Sequence, residues 1–216
     1  MSLAVALLAK TPLPGRVKTR LAASIGAAKA LQLYQAMLVS VLDQLGALSA
    51  PLFVYWDAHN HAHPFPTPLI HTPVLHLWQG WGDLGQRIQR VFASLFSQGF
   101  HSVVLVGADY PLLCPALLYQ CRSRLAVNDV VLGPAVDGGY YLIGMRQYWP
   151  ALFDDIPWST DAVLTRTLTQ AGQLRCSVHL LPPGQDVDEW SDVLSLARQS
   201  GLPKRVDRVL QHWGLR

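Results

Sequence analysis

The chain opens with an unbroken apolar run, Leu3 to Ala9, which is the pattern of a strand buried on both faces of a parallel sheet. A loop containing Pro12, Pro14 and Gly15 ends it. Between Ala27 and Leu48, the residues Leu31, Tyr34, Leu38, Val41 and Leu45 recur at steps of three and four, which predicts one buried face of a long helix. A strand is predicted over Leu52 to Trp56, and the His- and Pro-rich stretch from Asp57 to Pro73 reads as a loop. A short strand follows over Leu75 to Trp78. Leu84, Ile88, Val91 and Leu95, with Phe92 and Phe96, mark an amphipathic helix, and Val103 to Val106 a central strand. Beyond it the pattern predicts helices over Pro115 to Leu125, Val163 to Ala171, Ser191 to Gln199 and Val206 to Trp213. Strands are predicted over Val130 to Leu132, Tyr140 to Ile143 and Val178 to Leu181.

This alternation predicts an α/β fold, a mostly parallel sheet covered on both faces in a three-layer α/β/α sandwich. No repeat, charge block or linker interrupts it, so residues 1–216 read as one domain. Composition agrees, with 50% hydrophobic and 14% charged residues. The net charge of +3 is too small to predict nucleic-acid binding. Nothing basic precedes the first apolar run, and no apolar run approaches the roughly 20 residues that span a bilayer. The expectation is a cytoplasmic protein with no membrane span. Cys114, Cys121 and Cys176 form no C-x-x-C pair and read as buried thiols.

In open α/β sheets, ligands bind beyond the carboxyl ends of the strands. Two candidates stand there. The loop after the first strand carries Lys10, Arg16, Lys18 and Arg20 within eleven positions, with Gly15 among them. It could hold phosphates as exposed charges, or be a solvated basic turn; it lacks the Walker A pattern. The second candidate is Asp109, at the tip of the apolar strand and followed by Tyr110-Pro111. It could hold Mg²⁺ or Mn²⁺ against a diphosphate, or simply form a turn. If both loops follow parallel strands, the basic loop must lie beside Asp109.

Gly138-Gly139-Tyr140, after Asp137, lets backbone approach a ligand and offers rings to a pocket, or forms a strand-to-strand turn. Asp83, followed by Arg87, opens a helix from a glycine-rich segment where it could cap the helix, while the free N–H groups could meet an anion. Asp186, Asp188 and Glu189 supply late carboxylates, as charges at a helix start or as the other half of a metal site. His59, His61 and His63 alternate without Cys or acidic partners and read as solvated.

Together these segments resemble a bacterial family of GT-A-fold glycosyltransferases, related to molybdenum-cofactor guanylyltransferases and phospholactate guanylyltransferase and associated with arsenosugar biosynthesis. The resemblance is carried by K-T-P-L-P-G-R-V-K-T-R-L from Lys10, G-D-L-G-Q-R from Gly82, G-A-D-Y-P from Gly107, G-P-A-V-D-G-G-Y-Y-L-I-G from Gly133, I-P-W-S-T from Ile156 and D-V-D-E-W-S-D from Asp186. Two departures stand out: Tyr110 where the family usually has Cys, and Glu189-Trp190 where it usually has Thr-Pro.

The resemblance implies a GT-A fold in which Asp109, Asp186 and Asp188 form the metal site. It implies catalytic roles for Asp109 and Asp137. Phosphate or nucleotide contacts fall to Lys10, Gly15, Arg16, Lys18, Arg20, Asp83 and Arg87, and a substrate pocket to Gly138, Gly139, Tyr140 and Trp158. The expected partners are a nucleotide or nucleotide-sugar donor and a small-molecule acceptor, with Mg²⁺ or Mn²⁺ as cofactor. The leading expectation is glycosyl transfer from a nucleoside-diphosphate sugar. Nucleotidyl transfer with pyrophosphate release and non-catalytic nucleotide binding are the alternatives. In the absence of metal, Asp109 and the late carboxylates would repel one another, so Asp109→Asn is expected to leave the ligand-free stability unchanged or slightly raised.

Overall fold

The computed structural model describes residues 2–57 and 73–216; the proposed histidine group at 59, 61 and 63, and the body of the predicted loop, lie outside them. A seven-stranded sheet runs β3-β2-β1-β4-β6-β5-β7. Its strands are β1 (Leu3–Ala9), β2 (Leu52–Trp56), β3 (Leu75–Trp78), β4 (Ser102–Gly107), β5 (Val130–Pro134), β6 (Tyr140–Met145) and β7 (Val178–Leu180). Neighbours pair in parallel except around β6, which runs antiparallel to both β4 and β5. The turn at 135–139 brings the chain straight back beside β5 and so reverses it, where a parallel connection needs a long crossover.

The layers follow from period-two alternation in the strands. Leu3, Val5 and Leu7 of β1 and Val104 and Val106 of β4 pack beneath α2 (Ala27–Leu45) and α4 (Pro115–Leu125). Ala4, Ala6, Val103 and Leu105 face the opposite layer, α3 (Leu84–Ser97) and α5 (Val163–Gln173). The other face of α2 carries a third cluster, in which Leu33 and Met37 meet α1 (Thr19–Ile25), α6 (Trp190–Ala197) and α7 (Lys204–His212) through Leu21, Val193 and Val206. The three-layer α/β/α architecture is therefore as the periodicity predicts.

Local chemistry sets the helix ends. Asp83 caps α3 by accepting from Gln86 N at 2.9 Å, while Gln86 Oε1 accepts from Asp83 N at 3.2 Å, a reciprocal capping box. Pro115 starts α4, where its missing N–H is not needed. Two expectations are corrected at the ends. The basic segment is not loop throughout, since α1 begins at Thr19, and the predicted helix after Ala27 ends at Leu45 before a 3₁₀ turn. Cys121 and Cys176 are buried and Cys114 is half-buried. Among the described residues no helix is long and apolar enough to cross a membrane.

Candidate functional site

The loops that follow β1, β3 and β4, with Asp57 at the end of β2, meet the β5–β6 turn and the segment before α6 around a cleft of about 710 Å³, within the usual range for small-molecule sites. The first loop is anchored at its base. Tyr34 of α2 accepts from Lys10 N at 2.9 Å and donates to Lys10 O at 2.8 Å, and Thr11 N donates to Asp57 Oδ1 at 2.7 Å. Burial, with Asp109 adding to it, pushes the Tyr34 phenol well above its ordinary value, so it stays neutral and keeps both bonds.

The chain then turns at 13–16 and enters α1 through Lys18, whose backbone is left-handed at φ 47° and ψ 48°. That conformation costs a non-glycine residue on the order of 1 kcal/mol and persists only where the surroundings impose it. Here the surroundings are ionic. Lys18 Nζ lies 2.5 Å from Asp109 Oδ1 and 2.9 Å from Asp188 Oδ1, and its side chain is only 3% exposed. Burial alone would lower the Lys18 pKa, but Asp109 and Asp188 outweigh it and hold it above the ordinary lysine value. The ammonium therefore stays charged.

The late acidic segment is placed by backbone. Val187 N donates to Asp109 O at 3.1 Å, and Val187 is buried in the α1–α2–α6–α7 cluster. Asp192 Oδ2 accepts from Asp188 N at 2.9 Å and from Glu189 N at 2.8 Å. Burial would raise the Asp188 pKa, yet Lys18 draws it below the carboxylate range. Asp186 goes the other way: burial first, then the nearby Asp109 charge, pushes it up to about 7. Its Oδ1 is buried with no hydrogen-bond partner.

These carboxylates were expected to repel one another in the absence of metal; in the structure Lys18 stands between two of them and supplies an internal counter-ion. Among the described residues no group of three or more His, Cys, Asp or Glu side chains is arranged to hold a metal. The donor set nevertheless has the right chemistry for Mg²⁺ or Mn²⁺, with hard oxygens on Asp109, Asp186 and Asp188 and one buried oxygen unpaired.

On the far side of the cleft, Asp137 Oδ1 accepts from Gly139 N at 2.9 Å. Gly138 has φ 90°, and a Cβ there would lie 2.1 Å from the carbonyl oxygen of Asp161, so glycine is required for the 159–164 segment to close against the turn. Gly85 serves α3 similarly, because a Cβ there would lie 2.1 Å from Trp158 Nε1. Trp158 stacks on Phe153 and meets Tyr140 edge to face.

Of the residues proposed from sequence, Lys10, Lys18, Arg20, Arg87, Asp109, Asp137, Gly139, Tyr140, Trp158, Asp186 and Asp188 line the cleft, and the basic loop does lie beside Asp109. Four do not line it. Gly15 and Arg16 sit in an exposed turn, Asp83 uses its carboxylate as a helix cap, and Gly138 packs against Asp161 backbone. Sequence reasoning missed several residues of the cleft, among them Tyr34, Asp57, Gln79 and Asp161. Tyr34 reads as helix face and Asp57 as the start of a loop. Buried Gln79 donates to Ala9 O at 3.0 Å and Tyr55 O at 2.9 Å and accepts from Arg87 Nη1 at 3.0 Å, tying two strand ends together and aiming Arg87. A polar residue directly after a strand was the one available signal for Gln79.

The family model described as "Uncharacterized protein conserved in bacteria" (DUF2064) matches residues 41–160. No curated protein matches the chain. Among solved structures, a Desulfovibrio desulfuricans protein assigned as a nucleotide-diphospho-sugar transferase is 31% identical with a TM-score of 0.92, over 100% of this chain and 97% of that one. Glucosyl-3-phosphoglycerate synthase from Mycobacterium tuberculosis, in complex with Mn²⁺, UDP and glucosyl-3-phosphoglycerate, has a TM-score of 0.56 at 12% identity, over 94% of this chain and 81% of that one. A CMP:2-keto-3-deoxy-manno-octonic acid synthetase complexed with CTP has a TM-score of 0.53 at 11% identity, over 91% of this chain and 97% of that one. The last two likenesses are of fold.

Proposed function

The chain belongs to the DUF2064 family, and from that premise we propose that it is a metal-dependent glycosyltransferase that takes a nucleoside-diphosphate sugar and passes the sugar to a small-molecule acceptor. The observation that carries this reading is that Lys10, Lys18, Arg20 and Arg87 line one cleft together with Asp109 and the late carboxylates. Such a site can meet the negative charge of a diphosphate and, on its acidic side, a divalent cation. The name given to the Desulfovibrio protein supports the same donor class.

Asp109, Asp186 and Asp188 would hold Mg²⁺ or Mn²⁺, which when bound supplies Lewis-acid stabilisation of the leaving diphosphate. The protein's own part is positional and electrostatic. Lys10, Arg20 and Arg87 face the phosphates, with Arg87 held by Gln79. Lys18 keeps Asp109 and Asp188 in place. Asp137, fixed by Gly139 N, takes the proton of the acceptor hydroxyl as its oxygen bonds to the anomeric carbon and the bond from that carbon to the diphosphate breaks.

The cations Lys10, Arg20 and Arg87 also favour a second reading, nucleotidyl transfer, because a triphosphate carries more charge than a diphosphate. One assay separates the two. The protein is incubated with Mn²⁺, a panel of nucleotide sugars and nucleoside triphosphates, and pooled acceptors. Release of a nucleoside diphosphate is expected; pyrophosphate instead would establish the second reading, and tight nucleotide binding with no turnover would indicate a non-catalytic protein.

A further inference from the structure

We propose that the acceptor is a neutral or cationic polyhydroxy compound and that the site discriminates against phosphorylated and carboxylated ones. The proposal rests on the glycosyl-transfer reading and deepens it. The cleft is divided by charge. Its four Lys and Arg side chains all come from the 10–20 segment and from the start of α3. The opposite wall, built by the β5–β6 turn and the 158–161 segment, contributes Asp137 and Asp161 with the rings of Tyr140 and Trp158 and the hydroxyls of Ser159 and Thr160. Among the described residues lining the cleft, that wall has no Lys or Arg.

An anionic acceptor would therefore meet two carboxylates with no cation of its own. It could not use the donor-side cations, since Lys18 is already shared by Asp109 and Asp188 and the donor's phosphates claim Lys10, Arg20 and Arg87. A sugar-like or amino-sugar acceptor fits the same wall well. The lining ring of Trp158 offers apolar surface to a sugar ring, the carboxylates of Asp137 and Asp161 can accept from its OH groups, and an ammonium gains their charge.

The wall is also built to hold its shape, which is what selectivity between similar ligands requires. Leu164 N donates to Gly138 O at 2.8 Å, locking the 159–164 segment onto the turn. Thr160 Oγ1 donates to Pro157 O at 2.7 Å, and next to it Ser159 is held at φ 65°, a conformation that a side-chain-bearing residue adopts only when constrained. Trp158 is seated on Gly85 and backed by Phe153.

The test uses full-length ¹⁵N-labelled protein with Mn²⁺-free buffer first, then with Mg²⁺ and UDP or GDP filling the donor side. Glucose, glucosamine and glucose 6-phosphate are titrated as probes, and the Trp158 indole N–H, assigned with Trp158→Phe, and the Gly139 amide are followed by NMR. Glucosamine is expected to bind at least as tightly as glucose, and glucose 6-phosphate about tenfold more weakly or worse. Asp161→Asn should shrink the advantage of the amine and relieve the exclusion of the phosphate ester. Glucose 6-phosphate binding as well as glucose overturns the proposal, as does the absence of a shift with both uncharged and cationic probes. Nucleotide binding is measured separately by thermal shift: failure of UDP, GDP and other nucleotides to bind would defeat the glycosyl-transfer reading, whereas nucleotide binding with glucose 6-phosphate then bound as well as glucose would defeat only the charge preference of the wall.

Discussion

Two clusters of paired charges stand at opposite ends of the sheet, and only one of them balances. At the amino end of β5, Asp129 Oδ2 accepts from Ser177 Oγ at 2.6 Å and Ser177 N at 2.9 Å, while Oδ1 takes Arg146 Nε at 2.9 Å. The Ser177 hydroxyl, with further help from its N–H and from Arg146, holds Asp129 below the ordinary carboxylate range despite partial burial. One carboxylate is matched by one guanidinium, and both of its oxygens are hydrogen-bonded. At the carboxyl end, one ammonium serves Asp109 and Asp188, and Asp186 is left with a buried, unpartnered oxygen and a pKa of about 7. A pair that only braces a fold satisfies its own charges, whereas a binding site retains unmet charge for its ligand.

Lys18→Met should break the comparison most severely. It leaves the cleft carboxylates without their internal cation and should cost about 3 kcal/mol, the low end for a broken buried pair because Asp109 and Asp188 are nearly half exposed. Nucleotide affinity should fall by about a hundredfold. Chemical denaturation and a nucleotide titration measure the two effects, and loss of stability with unchanged affinity would reduce Lys18 to a brace like Arg146.

Asp109→Asn follows in size. Because Asp109 is ion-paired to Lys18, the substitution should destabilise the ligand-free protein by about 1–2 kcal/mol, in place of the neutral or stabilising effect expected from sequence. It should also abolish the Mn²⁺-dependent part of nucleotide binding, because an amide is a poorer ligand for a hard cation. Melting curves with and without Mn²⁺ and nucleotide check both; a full metal-dependent shift in the variant would remove Asp109 from the site.

Asp129→Asn sharpens the contrast from the other end. It should cost about 1 kcal/mol at neutral pH and leave nucleotide binding untouched. The sign of its pH dependence follows from a depressed folded-state pKa: the contribution is complete above the unfolded value of about 3.9 and is lost as pH falls through the lower folded value. Parent and variant stabilities should therefore converge in acid, as followed by urea unfolding at stepped pH.

The smallest effect is expected from Arg20→Ala. With a side chain 67% exposed, Arg20 should contribute about two- to fivefold to nucleotide affinity at low salt and almost nothing at high salt. Lys18, predicted from sequence to behave as an equally exposed charge, is buried and should lose affinity at both. Equal salt sensitivity in the two variants would mean that they occupy the same kind of environment.

Much of this architecture was readable in the chain. The strands and most helices follow from apolar periods of two and of three to four, and Asp109 stood out as a carboxylate at the tip of an apolar strand. The helix α1 was not readable, because it is seven residues long and its start carries no side-chain cap; the residue at that position, Lys18, is turned toward Asp109 instead. Tyr34 was hidden for the opposite reason. Its ring belongs to the apolar face of α2, and only its hydroxyl does the work of holding Lys10.

By itself, then, the sequence determined what neighbouring residues decide together: which segments form strands and helices, which faces are buried, where the chain turns, and that basic and acidic groups follow β1 and β4. Tertiary structure alone decided the pairing of those groups. Lys18 and Asp188 are 170 positions apart, yet they touch because the sheet order sets β1 beside β4 and a backbone bond lays Val187 on Asp109. Apolar periodicity is a local property, written within one or two turns of chain. Coulomb energy depends on distance through space, and that distance exists only after the strands have been ordered.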